Sequence, residues 1–576
     1  MEQQALVAEN MLNADRPRVP ALSFLGLSLN LLEDDGLDSA PSGARIFGNL
    51  LEERDDDASF TYNGTTYYAP AMVKVTRAES LNSDVIQSSS VAELRENYAY
   101  NLGVKGSYGA FSTKAEANFS KEIQQRSETL IITRLLTTNG WNLTLDLNID
   151  DHADYLAPQF YAALNNKDIS PEQLFNTYGT HVATGVLAGG RVMASFTSKS
   201  NKLATREKLS ASAEVRYAKV TVDGGASRDR ESQLSESEMQ ESWHITGGTD
   251  VARMELLQHT TPEAYIKWAQ SVSENPSFGT VTRIRPLWEF AEDRERRIEL
   301  ESHFRLRLTL HSLQWPQLFR QTGENASNHM SFAMTVPNHY KIFSGGASVS
   351  WSGRGALLVS AYPQHQHSWY VTGKDHLHAD ASAEVEAYAI AVYDPYDFLD
   401  VDIATATSKK KGQHLVETAT LPDDYLMTGG GARVNYTGAG NMLTASCPAD
   451  IDPEHTSWIA KSKDHGATSL AEITAYAIGV KVRPDYAHLL KLSKNMVSDT
   501  GNANGHSSME LGVKSEDGYR LIGGGVQVNW TGYGHMLTGS YPDEAKWIGT
   551  GKDHGRSSPA NITIYAIGLK AELIKE

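Results

Sequence analysis

Three Asp-His pairs stand out as residues that could do chemistry. They occur in Lys374-Asp375-His376, Lys463-Asp464-His465 and Lys552-Asp553-His554, at a constant step of 89 residues. Adjacent Asp and His invite acid–base catalysis, but no nucleophile motif such as G-x-S-x-G accompanies them. The chain is therefore not read as an enzyme, and no cofactor is implied. A loop Asp can instead accept sugar hydroxyls, with a nearby Trp stacked on the sugar face. Asp464-His465-Gly466 and Asp553-His554-Gly555 share an Asp-x-Gly pattern, whereas the first copy has Asp375-His376-Leu377. The receptor- or glycan-binding candidates are thus Asp375, Asp464, Gly466, Asp553, Gly555, Trp458 and Trp547. The competing reading is a turn-stabilising Asp beside a core Trp. For the tryptophans the core reading is favoured; for the aspartates the two stand level. His365, His367, His376 and His378 cluster only in the first copy at a spacing that can bind metal. A solvated surface is the favoured reading there, and no metal is assigned.

The three motifs belong to three copies of one unit. Tyr-Ala-Ile recurs at Tyr388, Tyr476 and Tyr565, and an aromatic-Ser/Thr-Gly triplet at Trp351, Tyr436 and Trp530. A Trp precedes each Lys-Asp-His, at Trp369, Trp458 and Trp547. Ala432 to Tyr436 and Ile473 to Val482 alternate as half-buried strands do, and Gly-rich turns separate the runs. Each unit offers about four or five strands, enough for one sheet, which cannot bury its own apolar face. Three sheets around a pseudo-threefold axis can, which predicts a β-prism. The runner-up is three small β domains in a row; the lack of Pro/Ser-rich linkers between copies favours the prism. Gln314 to Asn328 lacks periodicity and contains Pro316 and Gly323, so it reads as a linker. The expected domains are residues 1–312, a linker at 313–327 and the prism at 328–576, with repeats near 328–400, 401–492 and 493–576.

The chain has 576 residues and a net charge of -18. That charge argues against nucleic acid as a partner and against docking to anionic lipid through a polybasic patch. Cys447 is the single cysteine. No disulfide can form within the chain, which fits synthesis in a reducing compartment. No run of about 20 apolar residues predicts a membrane helix. Val19 to Leu32, after Arg16 and Arg18, imitates a signal sequence. Its leucines at 25, 27, 29 and 31 alternate as in a strand, and Glu33-Asp34-Asp35 follows where small residues would mark cleavage. It is read as a strand, and release from the cell is expected by another route or by lysis.

Upstream of the repeats, Tyr178-Gly179-Thr180-His181 and Gly189-Gly190 lie between a helix-like run (Leu156 to Phe175) and a strand-like run (Val182 to Phe196). Two Ser-rich, weakly apolar segments flank them. In the first, roughly Asn82 to Leu130, Val91, Leu94, Tyr98 and Leu102 share a helix face. Tyr98, Tyr100, Leu102, Val104 and Tyr108 also share a strand face. The parity switches near 109–112, as at a hairpin turn, and Phe111 and Phe119 continue on the other parity. In the second, roughly Lys199 to Glu241, Leu209, Ala211, Ala213, Val215 and Tyr217 alternate with polar residues before a Gly224-Gly225 turn signal. Either segment alone also fits an ordinary surface helix or strand. A membrane strand needs only about 9–11 residues with alternating polarity, provided a closed barrel satisfies its backbone. Small residues and mild hydrophobicity suit both states, so such segments can be stored as soluble helices and used as strands.

These features resemble the signature of the membrane-attack-complex/perforin (MACPF) family. The resemblance rests on Tyr178-Gly179-Thr180-His181, on Gly189-Gly190, and on a second pair, Gly247-Gly248, in Trp243 to Thr249. Pro286 to Phe290 and the helical run after it, Ala291 to Arg307, resemble that domain's closing helix. The likeness covers roughly residues 15–310. It departs at Pro171, where the pattern has Tyr, and at Val182, where it has an aromatic. The resemblance implies an α+β fold: a bent, twisted antiparallel sheet with two flanking helical clusters, followed here by the all-β threefold prism. It also implies a pore-forming toxin, released from its cell and monomeric in solution. Such a protein binds a target-cell membrane through a receptor or glycan, assembles as a homo-oligomeric ring and refolds both segments into hairpins of a β-barrel. The glycines are read as bend points or as a simple kinked turn, and His181 as a core histidine or part of a switch. A MACPF domain followed by a prism resembles bacterial proteins, several of them insecticidal. A non-lytic surface lectin or adhesin is the alternative, separated by whether the protein causes leakage.

Overall fold

The computed structural model describes residues 17–33, 36–48, 58–62, 64–78, 83–106, 108–109, 111–127, 129–146, 154–198, 207–213, 239–323, 329–351, 356–376, 383–449 and 456–574. The chain forms two compact units, residues 1–124 with 128–307, and 125–127 with 308–576.

The strands described in the first unit are β1 (Ser28–Leu29), β2 (Ala58–Tyr62), β3 (Thr65–Ala69), β4 (Val73–Ala78), β5 (Ser83–Ser88), β6 (Leu130–Leu145), β7 (His181–Ser198), β8 (Met239–Thr246) and β9 (Phe278–Pro286). Long β6 and β7 pair antiparallel from Leu130↔Ser198 to Thr144↔Gly185. Strand β7 is buried along its whole length, which its near-continuous run of small and apolar residues permits. Each outer position is filled by two strands in succession. On β6, β5 pairs the first half and β4 the last; on β7, β9 pairs the first half and β8 the last.

The changeover on β7 falls at Gly189-Gly190. The β6–β7 register slips there, between Thr138 and Trp141, and Gly189 has φ +152°. A Cβ on Gly247 (φ +75°) would run into the Gly189 carbonyl, and one on Gly190 would lie 2.6 Å from the Trp268 ring. Only glycine lets these backbones approach so closely at such angles. Trp268 locks the crossing, its Nε1 donating to the Gly247 carbonyl at 3.1 Å.

The helices are α1 (Val91–Asn101), α2 (Lys121–Gln125), α3 (Pro158–Asn165), α4 (Pro171–Tyr178), α5 (residues 207–213), α6 (Asp250–Gln258), α7 (Pro262–Glu274) and α8 (Arg294–Gln314). The single helix expected over Leu156 to Phe175 is two, because Ser170 caps α4 in a capping box with Gln173 and Pro171 takes the first helical position. Val19 to Leu32 is not the expected strand. It makes a 3-10 turn at Leu22–Phe24 and the two-residue β1, and its leucines at 22, 25, 29 and 31 are buried without one continuous strand joining them.

The second unit contains three six-stranded antiparallel sheets. The first joins Gln317–Thr322, Val385–Tyr393 and Tyr340–Val349 to His535–Asp543, Lys546–Asp553 and His506–Gly512. The second joins His329–Thr335, Ser368–Asp375 and Ala356–His365 to Leu426–Tyr436, Ala471–Val482 and Leu399–Thr407. The third joins His414–Thr420, Ser457–Asp464 and Asn441–Pro448 to Arg520–Asn529, Asn561–Leu573 and Leu490–Thr500. This is a strand-rich prism, but not one sheet per repeat as expected: every repeat gives three strands to each of two sheets. The seams are short, Ala347↔Ser540 with Ser348↔Gly539, Ala361↔Ala432, and Ala445↔Gln527 with Ser446↔Val526. Glycines beside them admit the neighbouring backbone; a Cβ on Gly431 would lie 2.6 Å from the Ala361 carbonyl, and on Gly525 2.5 Å from that of Ser446.

The expected linker is also corrected. Helix α8 continues to Gln314, and Gln317–Thr322 pairs with Val385–Tyr393 from Gln317↔Ala391 to Thr322↔Glu386. Six residues with adjacent Leu318 and Phe319 are too short to show a period. The glycine crossing makes a direct prediction. Gly247→Ala forces a side chain into both a left-handed φ and a carbonyl, so chemical denaturation should show a loss of at least about 3 kcal/mol.

Candidate functional site

The described parts of the two candidate segments pack against the β6–β7 ladder. In the first, Ser90 caps α1 by accepting from Glu93 N at 3.1 Å, and Glu93 Oε2 accepts from Ser89 N at 2.6 Å. The stretch after the helix folds back onto it. Arg95 donates to both Glu116 oxygens (2.9–3.1 Å) and to the Gly109 carbonyl, and Glu96 Oε1 accepts from Tyr108 N and Gly109 N at 2.8 and 2.7 Å. Of the candidate inserting residues, Tyr98, Leu102, Val104, Tyr108, Phe111 and Phe119 are buried. Tyr100 is 83% exposed. Tyr98 and Leu102 satisfy the helix period and the strand period together; Tyr100 satisfies only the strand period, so the stored helix turns it outward.

The second segment contributes α5, with Leu209, Ala211 and Ala213 buried; Val215, Tyr217 and the Gly224-Gly225 signal lie outside the described residues. Leu209 and Ala213 join a core with Leu130, Ile132, Val192, Ala194 and Phe196 of the ladder and with Leu256, Trp268 and Val272 of α6 and α7. The first segment meets the other parity of β7. Tyr98 Oη donates to Met193 Sδ at 3.6 Å and Ser195 Oγ to the Ala115 carbonyl at 3.1 Å. Alternate residues of a strand point to opposite faces, so the two segments cover opposite faces of one ladder.

The Tyr-Gly-Thr-His element anchors the first of them. Gly179 has φ +75°, and a Cβ there would lie 2.7 Å from the Leu29 carbonyl. Tyr178 packs on Phe160. Thr180 Oγ1 accepts from Leu31 N at 3.1 Å. His181 lies 2.9 Å from Thr180 Oγ1 through Nδ1 and 2.9 Å from Tyr108 Oη through Nε2, boxed by Trp288 and Phe304. Burial pushes its pKa down to about 3, so the ring is neutral at pH 7. Its bond to Tyr108 ties the first segment to the start of β7. Beneath that segment, buried Asp38 accepts from Lys114 N through both oxygens (2.9 and 3.0 Å), near Arg191 and His244. Burial raises the Asp38 pKa, opposed by the Lys114 N–H and by Lys114 and Arg191. These polar ties escaped the sequence reading, because neither Asp38 with Lys114 nor Arg95 with Glu116 has a helical or strand spacing.

In the prism the Lys-Asp-His motifs converge on the axis. Nε2 of His376 meets the His465 carbonyl, that of His465 the His554 carbonyl at 2.7 Å, and that of His554 the His376 carbonyl at 2.7 Å, which closes a cycle. Each preceding lysine reaches the next copy: Lys374 lies over Tyr436, Lys463 over Trp530 and Lys552 over Trp351, at 4.7, 4.2 and 3.9 Å. A neutral imidazole has one N–H, yet His376 and His465 each face a second carbonyl through Nδ1, of Ala439 and Tyr533, at 3.1 Å. For His376 protonation would supply the missing donor, but burial, Lys374 and the neighbouring His465 oppose it. The pKa of His376 is lowered and that of His554 falls to about 4, burial being the largest cause for both.

Trp458 and Trp547 are corrected as sugar-stacking candidates. They are at most 1% exposed, each donates Nε1 to a serine hydroxyl, and they fill the core against Gly430 and Gly524. Asp464 and Asp553 accept from Ser469 N and Ser558 N at 3.2 and 2.8 Å, and Gly466 and Gly555 take left-handed φ of +67° and +70°. The Asp-x-Gly pattern is thus a turn geometry, with both carboxylates still partly accessible. Asp375 is buried. Of the histidine cluster, His376 turns to the axis, His367 meets the Tyr340 carbonyl, and His378 lies outside the described residues. Among the described residues no group of three or more His, Cys, Asp or Glu could hold a metal ion, and no helix is long and apolar enough to cross a membrane.

The MAC/Perforin domain model matches residues 30–312. No curated protein matches the chain. Among solved structures, GNIP1Aa from Chromobacterium piscinae is 18% identical with a TM-score of 0.44, covering 72% of this chain and 78% of its own. A MAC/Perforin-domain protein of Bacteroides thetaiotaomicron is 18% identical (TM-score 0.33; 50% and 63% covered), and vertebrate Astrotactin-2 is 10% identical (0.31; 64% and 67%).

Two outcomes test these sites. Tyr108→Phe leaves a ring nitrogen of His181 buried without its partner and should cost about 1–3 kcal/mol in chemical denaturation. The depressed pKa values of His181, His244, His303 and His554, about 3, 4, 4 and 4, mean that the unfolded chain takes up protons first. Their stabilisation is complete above about pH 6.5 and is lost as pH falls toward 4. Thermal midpoints should fall across that window, and His554→Gln should flatten part of the slope.

Proposed function

We propose that this chain, a member of the MAC/Perforin family through residues 30–312, is a pore-forming protein that turns its two stored segments into membrane hairpins. One topological observation carries the reading. The four strands β5, β6, β7 and β8 are neighbours in that order, and the stored segments are the connections β5–β6 and β7–β8. Forty-one residues lie between Ser88 and Leu130, and 40 between Ser198 and Met239. Straightening each connection lengthens strands already paired in the antiparallel sense. Each arm then holds about 20 residues, twice the 9–11 that cross the hydrocarbon. No new pairing partner within the subunit is needed; edges between subunits join in a ring. The exposed Tyr100 fits the reading, since its strand parity matches that of the buried Tyr98 and Leu102.

The stored state is well held. Six buried side chains of the first segment amount to on the order of 10 kcal/mol of burial, so release must be coupled to a surface that takes them back. The prism serves as the recognition unit in this reading. Its receptor or glycan contacts include the accessible Asp464 and Asp553, and a released, soluble monomer meets the target membrane through it. The family resemblance points to insect cells as the target.

A disulfide lock tests the mechanism, since the only native thiol, Cys447, is buried. Ala115→Cys with Ser195→Cys pins the first segment to β7. Dye release from susceptible cells should stop in the oxidised protein and return on reduction. Leakage from the locked protein would refute insertion of this segment, and binding without leakage in the unmodified protein would favour the non-lytic adhesin.

A further inference from the structure

A cleft of about 470 Å3 opens beside the end of α1, between the Gly103–Lys105 turn, β9 and the start of α8. Its charge runs against that of the chain. Lys105, Arg283, Arg285 and Arg297 line it together with Asp146 and Glu289. Arg285 is neutralised by Glu289, with Nε and Nη2 at 2.8 and 2.6 Å from Oε2. The remaining three cations and one carboxylate leave a charge of +2 in a chain of net charge -18. Two side-chain donors in the lining have no partner among the described residues: Oγ1 of Thr184, a residue only 3% exposed, and Nε of Arg297. Buried donors without acceptors are rare in folded proteins, and here both line a cavity that a ligand can enter. Arg297 is fixed by donating Nη2 to the Ala291 carbonyl at 2.7 Å. The Arg283 side chain lies along Gly103.

We propose that this cleft binds a phosphate monoester. The ligand's two negative charges match the unneutralised +2, its oxygens accept from Thr184 and Arg297, and guanidinium groups suit the tetrahedral oxygens. The volume takes a small organic phosphate. Because Lys105 belongs to the first segment while Arg283 and Arg297 belong to the frame, the bound anion bridges the two. They are otherwise joined here by the backbone bond from Ile284 N to the Leu102 carbonyl at 3.4 Å. The holding role rests on the pore reading, whereas the binding site stands without it.

Calorimetric titration of the full chain with inorganic phosphate and with glycerol 3-phosphate tests the site in solution. Flotation with phosphatidylcholine vesicles, with and without phosphatidic acid, tests whether the phosphate comes on a lipid. Arg283→Ala and Lys105→Ala should each weaken binding about tenfold, and Thr184→Val several-fold, with unchanged thermal midpoints. Heat with the free phosphates identifies a soluble ligand; preference for phosphatidic acid vesicles that Arg283→Ala removes identifies a headgroup. No heat and no vesicle preference in the unmodified protein, or affinities untouched by all three substitutions, overturns the proposal. None of these measurements depends on leakage, so the site and the pore can fail separately.

Discussion

A long β-ladder that is apolar on both faces must be covered on both. That constraint shapes the first unit. Strand β7 has no residue open to water along its length, and the covers are drawn from the chain's own connections between neighbouring strands. In the proposed pore-forming reading the same backbone has two satisfactory states. It can lie across the ladder as helix and loop, or continue the ladder as strand. Hydrogen bonding does not choose between them, since each satisfies the main chain. The choice rests on where apolar side chains go, and so on the surroundings.

The glycine crossing makes one sheet out of strands that would otherwise compete. Two strands share each outer position, and the changeover occurs where Gly140, Gly189, Gly190 and Gly247 pack without side chains and Trp268 sits over the gap. The hydrophobic core of the second face begins at this tryptophan and spreads to Leu209 and Ala213. Bend and storage are thus parts of one packing arrangement, and a side chain added at the bend disturbs both.

Much of this was written in local pattern. The helix face of Val91, Leu94, Tyr98 and Leu102, the paired glycines and the threefold repeat each have a short period or a fixed step, and the structure places each in an element that uses it. What escaped depends on distance along the chain. The Arg95–Glu116 pair, the Asp38 contact and the Tyr108–His181 bond join residues with no periodic relation. For the tryptophans of the repeats the core reading is favoured over a ligand platform but not forced, because a recurring Trp beside a recurring Asp reads alike for a core layer and for a binding face. The exchange of half-sheets between copies had no signature either, since strands within a copy look the same whichever neighbour they join.

That exchange has a consequence for how such a unit can be built or trimmed. No copy owns a sheet: the first and last copies meet in one, and the histidine cycle passes through all three. Removing one copy strips three strands from each of two sheets and leaves raw edges on both remaining halves. A fourth copy would have no vacant edge to join unless the whole circle opened. The number of copies is thus set by closure, as in a ring of dovetailed staves, and such a molecule tolerates change in its loops far better than change in its count.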